Sequence, residues 1–166
     1  MKELHNEDIF DKIKVADAIC ITTNCSIYNH INPMGALAGA AAQRWKNIPE
    51  IYAKLIYIAG NVPCILGHIS KDNPKDFISI FEEIYLDRSK YTLLIAVPTM
   101  YKLGEPADFN LVERSMSLLL ELTNDYNLNP VYAVRFGCGV GGLDWQTQVY
   151  PTANELLDDR FIIMNK

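Results

Sequence analysis

Apolar positions along the chain fall into short continuous runs, and polar or amphipathic segments separate those runs. Continuous apolar runs of this kind are typical of strands that a sheet buries on both faces. Asn24 bounds the first run, and Pro98 is expected to end the third because proline has no N–H to donate. The predicted strands are residues 16–23, 62–69, 91–97, 131–134 and 161–164.

The segments between these runs have the composition of helices. Small residues dominate positions 34–45, which predicts a helix that packs closely against a neighbouring backbone. A second helix is expected to begin at Pro49, with isoleucine and leucine at helical spacing, and to end at Gly60. Asp108 is placed to cap a long amphipathic helix, and residues 146–157 are predicted to form the last one.

Strands that alternate with helices predict an α/β fold whose mostly parallel sheet is covered on both faces. Residues 77–86 fit either a helix or a strand, because their periodicity does not separate the two. A chain of 166 residues fits one domain, residues 1–166. Ligands of such sheets bind beyond the carboxyl ends of the strands, so we expect the functional site there.

Composition and charge narrow the class of protein. The net charge is -5 and no basic run occurs, which argues against a nucleic-acid surface because phosphate binding needs clustered lysine and arginine. Residues 1–8 lack the apolar segment of a signal peptide, and no apolar run reaches membrane-spanning length. The cysteines have neither a paired nor a metal-binding spacing, so we expect reduced thiols, no metal and no cofactor in a cytoplasmic protein. The sequence indicates no oligomeric state.

A glycine-rich segment follows the predicted strand at residues 131–134. Four of the six residues after Phe136 are glycine, and a helix-compatible segment comes next. A strand, a glycine loop and a helix in this order present unpaired main-chain N–H groups and a helix N-terminus to an anion. The alternative is a tight turn without a ligand. A second candidate loop, residues 24–33 followed by Met34 and Gly35, favours a binding site.

Two segments together resemble those of macro domains, the α/β/α modules that bind ADP-ribose. One is residues 17–24, followed by a polar loop and Met34-Gly35, and the other is residues 135–145, RFGCGVGGLDW. The second string is similar to macro domains of bacterial and phage origin, including those paired with DNA-modifying ADP-ribosyltransferases. The resemblance extends from about Asp8 to Phe161. It implies a three-layer α/β/α fold with a mixed, mostly parallel central sheet.

The resemblance also implies a role for each matching position. Asp8 would accept a hydrogen bond from the adenine amino group, and Ile9 would offer its backbone at the same end. Asn24 would bond the distal ribose hydroxyls, because an amide both donates and accepts. Gly35 and the glycine-rich segment would enclose the diphosphate from two sides. The implied ligand-binding residues are Asp8, Ile9, Asn24, Met34, Gly35, Thr99, Gly137, Cys138, Gly139, Val140, Gly141 and Gly142.

Structural roles are the alternative for several polar residues. Asp8 is otherwise a solvated acid in a turn, and Asn24 is otherwise the start of an Asx-turn. Arg135 follows a buried strand, where an unpaired charge is costly, so we expect it to reach a carboxylate, a carbonyl or the loop itself. Asp144 is placed to cap the following helix, and Trp145 is expected to join the core.

Three positions depart from the pattern of macro domains that hydrolyse ADP-ribosyl groups. Such relatives commonly carry lysine directly after a Pro-Thr pair, whereas Met100 follows Thr99 here and the nearest lysine is Lys102. Methionine cannot act as a nucleophile or form a Schiff base. Some relatives use an aspartate where this chain has Gly141. Leu37 replaces the second glycine of the first loop, which is expected to restrict φ there and to fill part of the distal-ribose pocket.

Three functions stay open on the sequence alone. The first is a module that binds ADP-ribose or a related nucleotide and does little chemistry. The second is a hydrolase acting on ADP-ribose 1''-phosphate or on ADP-ribosylated macromolecules, with its base supplied by Asn24, His30, Asp144 or a bound water. The third is an interaction scaffold whose glycine loops are only turns. The missing lysine, the missing loop aspartate and the acidic net charge favour the first.

Overall fold

The computed structural model describes residues 1–82 and 84–165, and its centre is one sheet of seven strands. The strands are β1 (Lys2–His5), β2 (Ala18–Asn24), β3 (Cys64–Ser70), β4 (Phe77–Ser79), β5 (Tyr91–Met100), β6 (Val131–Val134) and β7 (Phe161–Asn165). Their order across the sheet is β1-β7-β6-β2-β5-β3-β4. Neighbours from β1 to β5 in this order run parallel, whereas β3 runs antiparallel to β5 and β4 antiparallel to β3. The mixed, mostly parallel sheet is confirmed.

Helices cover both faces of this sheet. They are α1 (Ala36–Arg44), α2 (Ile48–Ala59), α3 (Phe109–Asp125) and α4 (Tyr150–Leu156). Successive residues of β2 alternate between the two faces: Ile19 and Ile21 pack in the core that contains α1 and α2, whereas Ala18 and Cys20 pack in the core that contains α3 and α4. The predicted three-layer α/β/α arrangement is therefore confirmed.

The strand β5 continues past Pro98 to Met100, so the expectation that this proline ends the strand is wrong. Pairing between β5 and β3 reaches only as far as Ala96, and the register between β5 and β2 shifts beside Pro98, between Thr23 and Asn24. An irregularity of this kind is one of the few places where a sheet accepts proline. The extension brings the end of β5 level with the end of β2.

The sequence analysis did not predict β1 and left the element at β4 open between a helix and a strand. β1 is an edge strand that, among the described residues, pairs with β7 alone. Its residues are mostly polar, so no apolar run indicated a strand there. Residues 77–86, which fitted either a helix or a strand, begin with the three-residue strand β4. The other described residues of that segment form neither helix nor strand, and Glu83 lies outside the described residues.

The predicted last helix starts with one turn of π-helix, Trp145–Val149, before α4 begins. Pro151 is the second residue of α4, and proline has no N–H to donate to the preceding turn. The widened turn places the main-chain N–H of Tyr150 on the carbonyl of Trp145. This irregular turn follows directly after the glycine-rich segment.

Among the residues that the structure describes, none of the helices has both the length and the apolar character of a membrane span.

Candidate functional site: a cleft at the ends of the parallel strands

A cleft of about 790 Å³ opens where β2, β5 and β6 end. Its walls come from the strand ends, the helix α1, residues 7–10, Leu103, residues 137–141 and residues 143–146. We call residues 25–35 the first loop and residues 137–142 the glycine loop. The cleft lies where the sequence predicted the site, beyond the carboxyl ends of the parallel strands.

The glycine loop takes its shape from backbone conformations and main-chain hydrogen bonds. Gly137 and Gly142 have φ angles of 70° and 75°, a region that side chains disfavour. The N–H of Leu143 donates to the carbonyl of Gly137 at 3.1 Å, which closes the loop on itself. Glycine at these two positions is therefore a requirement of the turn.

Close packing adds a second requirement at Gly141. A Cβ atom there would lie 2.5 Å from the carbonyl oxygen of Gly137 and 2.6 Å from the Cβ of Ala107. The N–H of Ala107 also donates to the carbonyl of Gly141 at 2.9 Å. Gly139 differs, because among the described residues no atom apart from its chain neighbours lies within 4 Å of the position that its Cβ would take. The fold thus needs glycine at Gly141 but not, by contact, at Gly139.

Three consecutive N–H groups of the glycine loop have no hydrogen-bond partner among the described residues. They belong to Gly139, Val140 and Gly141, all of which line the cleft. Successive free N–H groups of this kind form a concave surface that binds anions. The glycine loop can therefore hold a phosphate group with its main chain.

Buried amide side chains shape the first loop instead. The Asn24 amide donates to the carbonyl of Pro33 at 2.7 Å and accepts from the N–H of Ser26 at 2.9 Å. The Asn32 amide donates to the carbonyls of Ser26 at 2.6 Å and Asn24 at 3.1 Å. Asn24 thus forms the Asx-turn that was its alternative role, while it also lines the cleft.

The N-terminus of α1 forms the wall where the first loop ends. Gly35 is its N-cap and provides no side-chain cap, so the first N–H groups of the helix are left without one. The strained residue is Ala36, with φ at 48°, while Leu37 lies within the helix and lines the cleft. Leu37 thus has a negative φ, which its side chain allows, and the strained position is its neighbour Ala36.

Small side chains on one face of α1 leave room along the cleft. Ala36, Ala40 and Arg44 are spaced four residues apart and all line it. Arg44 ends this row, with its guanidinium carbon 4.2 Å from the ring centroid of Phe10. Arg44 is exposed and makes no salt bridge with a described residue, so its positive charge is available to a ligand.

Asp8 and Ile9 lie at this same end of the cleft. The Asp8 carboxylate accepts from the N–H of Phe10 at 2.9 Å and thereby caps the short 3-10 helix Ile9–Lys12. The side chain of Ile9 is buried in the core. The cap fixes the carboxylate and the aromatic ring of Phe10 relative to each other.

Arg135 makes the structural contacts that were expected of it. Its guanidinium forms a salt bridge with Glu3 at 3.3 Å and lies 5.2 Å from the ring centroid of Trp145. Trp145 is buried, as predicted. Because Glu3 belongs to β1 and Trp145 follows the glycine loop, Arg135 joins the N-terminal strand to the far side of that loop.

Asp144 caps the turn that follows the glycine loop, as predicted. Its carboxylate accepts from the N–H and the hydroxyl of Thr147 at 2.7 and 2.6 Å, and these bonds lower the pKa of Asp144. Cys138 has a different electrostatic environment. Burial raises the pKa of its thiol to about 11, so the thiol is protonated at neutral pH and is a poor nucleophile.

Some of the residues considered for catalysis line the cleft and others do not. Met100 lines the cleft, whereas the Lys102 ammonium lies 3.6 Å from the Glu105 carboxylate and is not part of the cleft wall. His30 lies at the exposed tip of a turn in the first loop and does not line the cleft either. Thr99 lines the cleft but is buried.

The structure places most of the predicted binding residues around one cleft. Two do not line the cleft: Met34 packs against the apolar core beneath α1, and Gly142 stands in the chain between the lining residues Gly141 and Leu143. The predicted residues that line it are Asp8, Ile9, Asn24, Gly35, Thr99, Gly137, Cys138, Gly139, Val140 and Gly141.

Sequence reasoning missed Phe10, Arg44 and Leu103, which also line the cleft. Arg44 follows Ala36 and Ala40 at helical spacing, and that spacing was a signal that could have pointed to it. Leu103 had no such signal, because its place depends on a hydrogen bond from its N–H to the hydroxyl of Ser26 in the first loop.

Comparison with known proteins gives a consistent answer at the level of the fold. No protein-family model and no curated protein matches the chain. Among solved structures, Thermosipho africanus DarTG in complex with ADP-ribose is similar, with a TM-score of 0.74 and 13% identity over 100% of this chain. This chain spans 42% of that protein.

Two further structures match over nearly their full length. The macrodomain of Mycobacterium tuberculosis DarG has a TM-score of 0.66 and 16% identity, covering 100% of this chain and 98% of that one. The macrodomain of Thermus aquaticus DarG has a TM-score of 0.65 and 16% identity, covering 99% of each chain. The order of strands, the three layers and these similarities lead to one conclusion: the chain has the macrodomain fold.

Proposed function

We propose that the cleft binds ADP-ribose or an ADP-ribose derivative. The adenosine lies at the end formed by Asp8 and Arg44. The diphosphate lies between the N-terminus of α1 and the glycine loop, and the distal ribose lies near Asn24. The observation that carries this proposal is the row of free N–H groups at Gly139, Val140 and Gly141, which lines the same cleft as the uncapped start of α1.

The end of the cleft that lies away from the glycine loop, at Asp8 and Arg44, suits a purine base. The Asp8 carboxylate accepts hydrogen bonds, and the exocyclic amine of adenine donates them. Arg44 presents a planar guanidinium already stacked on Phe10, and such a group also stacks on a base. A carboxylate and a stacking cation at one end, with main-chain donors further along, match a nucleoside diphosphate better than a free phosphate.

One solved structure supports the choice of ADP-ribose as the ligand. Thermosipho africanus DarTG, whose structure is similar at 13% identity, is in complex with ADP-ribose. The volume of the cleft, about 790 Å³, also falls in the range of small-molecule sites.

Calorimetric titration with ADP-ribose tests the proposal. We expect saturable binding to the wild-type chain and binding weakened at least about tenfold by Gly139→Val, because the new side chain enters the space proposed for the diphosphate. The matched control is Ala59→Val at the exposed end of α2, which adds the same branching far from the cleft. Absence of binding, or equal affinity in the Gly139→Val variant, would contradict the placement.

Binding without efficient turnover is the second part of the proposal. Met100 lines the cleft at the position that resembles a catalytic lysine, and Lys102 pairs with Glu105 outside the cleft wall. The Asp144 carboxylate is bound to Thr147. A positioned acid or base contributes roughly 10²–10⁴-fold in rate, so a site without one is expected to bind much better than it hydrolyses.

Turnover assays separate this binding module from a hydrolase. ADP-ribose 1''-phosphate, ADP-ribosylated DNA and ADP-ribosylated protein are each incubated with the wild type, Met100→Lys and Lys102→Ala. We expect little product from the wild type, with ADP-ribose affinity retained in both variants. Efficient turnover that survives Lys102→Ala would show that another residue carries the chemistry and that the chain is an enzyme.

A further inference from the structure

A second cavity, of about 310 Å³, lies at the amino ends of the parallel strands β2 and β5. Its lining includes Asp17, which directly precedes β2, and Tyr91, the first residue of β5. The ADP-ribose cleft lies at the opposite ends of these two strands. The strand β2 has seven residues and rises about 3.3 Å at each, so the two sites lie about 20 Å apart.

Arg88 gives this cavity its positive charge. One guanidinium nitrogen donates to the carbonyl of Tyr126 at 2.7 Å, and the guanidinium carbon lies 5.8 Å from the Tyr126 ring centroid. Arg88 has no salt bridge with a described residue. A guanidinium has five donors, so the bond to Tyr126 fixes its position and leaves most of them for a ligand.

His68 adds an imidazole to the same lining. Neither ring nitrogen forms a hydrogen bond with a described residue, and Nδ1 is buried. The ring meets Tyr91 edge-on with centroids 6.3 Å apart. Burial and the nearby Arg88 lower the pKa of His68, which disfavours the charged form of the ring. A buried ring nitrogen without a hydrogen bond is costly, and a ligand atom beside it would offset that cost.

The only carboxylate in the described lining is already occupied. One oxygen of Asp17 accepts from the N–H of Asn129 at 3.0 Å, and the other lies 3.9 Å from the Lys71 ammonium. Its charge is therefore balanced, while that of Arg88 is not. Leu93 and Leu128, both buried, supply apolar surface to the same cavity.

We propose that this cavity binds a small organic carboxylate. The carboxylate lies at Arg88 and His68, and its apolar body lies against Tyr91, Leu93 and Leu128. A planar guanidinium matches a carboxylate with two parallel hydrogen bonds, and the tyrosine and leucine side chains exclude water from the rest of the ligand. The volume is at the lower end of the range for ligand sites, which restricts the ligand to a small molecule.

Binding of a carboxylate is expected to raise the pKa of His68. An anion beside the ring favours its charged form, whereas the free site disfavours that form through burial and Arg88. The charged or titratable groups that line the cavity with His68 are Asp17, Arg88, Tyr91 and Tyr126, and Lys71 pairs with Asp17. The pKa of His68 is thus a local reporter of occupancy.

The test is an NMR titration of the histidine rings of the full chain with benzoate. We expect a saturable change at His68 and a rise in its pKa, with no change at His5 and His30, which are exposed elsewhere. Acetate has the same charge without the apolar body and is expected to bind at least several-fold more weakly. Inorganic phosphate is expected to bind more weakly than benzoate for the same reason.

Variants then assign the interaction to Arg88. Arg88→Gln is expected to weaken benzoate binding at least about tenfold, because it removes a charge-assisted pair. Arg114→Gln, at an exposed position on α3, is the matched control and should bind normally. Equal affinity in Arg88→Gln and the wild type, acetate binding as tight as benzoate binding, or no saturable change at His68 would each overturn the proposal. The last two comparisons need only the wild-type chain, so they decide the question even if Arg88→Gln does not fold.

Discussion

The two loops that border the cleft are held in shape by different chemistry. The glycine loop depends on positive φ angles, main-chain bonds and the absence of side chains, as at Gly137 and Gly141. The first loop depends on the side-chain amides of Asn24 and Asn32, which bond to main-chain groups around them. The glycine loop is therefore shaped by the absence of side chains, and the first loop by the hydrogen bonds of its side-chain amides.

This difference decides how each loop tolerates change. In the glycine loop, an added side chain either collides with the backbone or enters the cleft, so its effect depends on the position. In the first loop, a deleted amide leaves buried carbonyls without donors, and the cost is that of unpaired polar groups. Substitutions in the two loops therefore test separate physical terms.

The largest expected effect comes from adding a side chain at Gly141. A Cβ there would lie 2.5 Å from the Gly137 carbonyl oxygen, so Gly141→Val requires the backbone to move. We expect the free energy of unfolding to fall by about 3 kcal/mol, near the upper end for overpacking. Urea denaturation measures it, with Gly139→Val as the matched control because its Cβ position is open. Equal stability of the two variants would show that the loop is more plastic than its contacts indicate.

A smaller effect is expected from removing the Asn32 amide. Asn32→Ala leaves the carbonyls of Asn24 and Ser26 without their donor in a buried place, at a cost of about 1–3 kcal/mol. Asn47→Ala is the control, because Asn47 is exposed and its side chain makes no cap hydrogen bond. If denaturation finds the same small loss in both variants, the amide network does not hold the first loop.

The same difference explains how much of the site the sequence could predict. The glycine loop was recognisable because its shape is a matter of residue type, and glycines such as Gly137 and Gly141 appear directly in the string. In the first loop, the sequence left Asn24 open between a ligand contact and an Asx-turn. Its partners Pro33 and Asn32 are bonded through geometry that spacing does not give.

The same difference separates the parts of the fold that the sequence predicted from those that it did not. The central strands have continuous apolar runs because both of their faces are buried. Neighbouring residues of β2, such as Ile19 and Cys20, therefore pack in different cores on the two faces of the sheet. The edge strand β1 pairs on one side only and has no such run. Pro98 was misjudged because the register shift that accommodates it involves a neighbouring strand, which lies far away in sequence.

The smallest expected effect comes from placing a glycine at Ala36, the residue of α1 that directly follows the first loop. Ala36 has φ at 48°, where an alanine is strained and a glycine is not. Ala36→Gly should relieve that strain, offset in part by the greater entropy of the unfolded chain, so we expect the free energy of unfolding to rise by less than about 1 kcal/mol. Ala40→Gly is the matched control: it lies within α1, where glycine should cost about 0.5–1 kcal/mol. Urea denaturation of the two variants should therefore give opposite signs. If both variants lose stability equally, the backbone at Ala36 is not strained, and the first loop enters α1 without the conformational cost that the φ angle indicates.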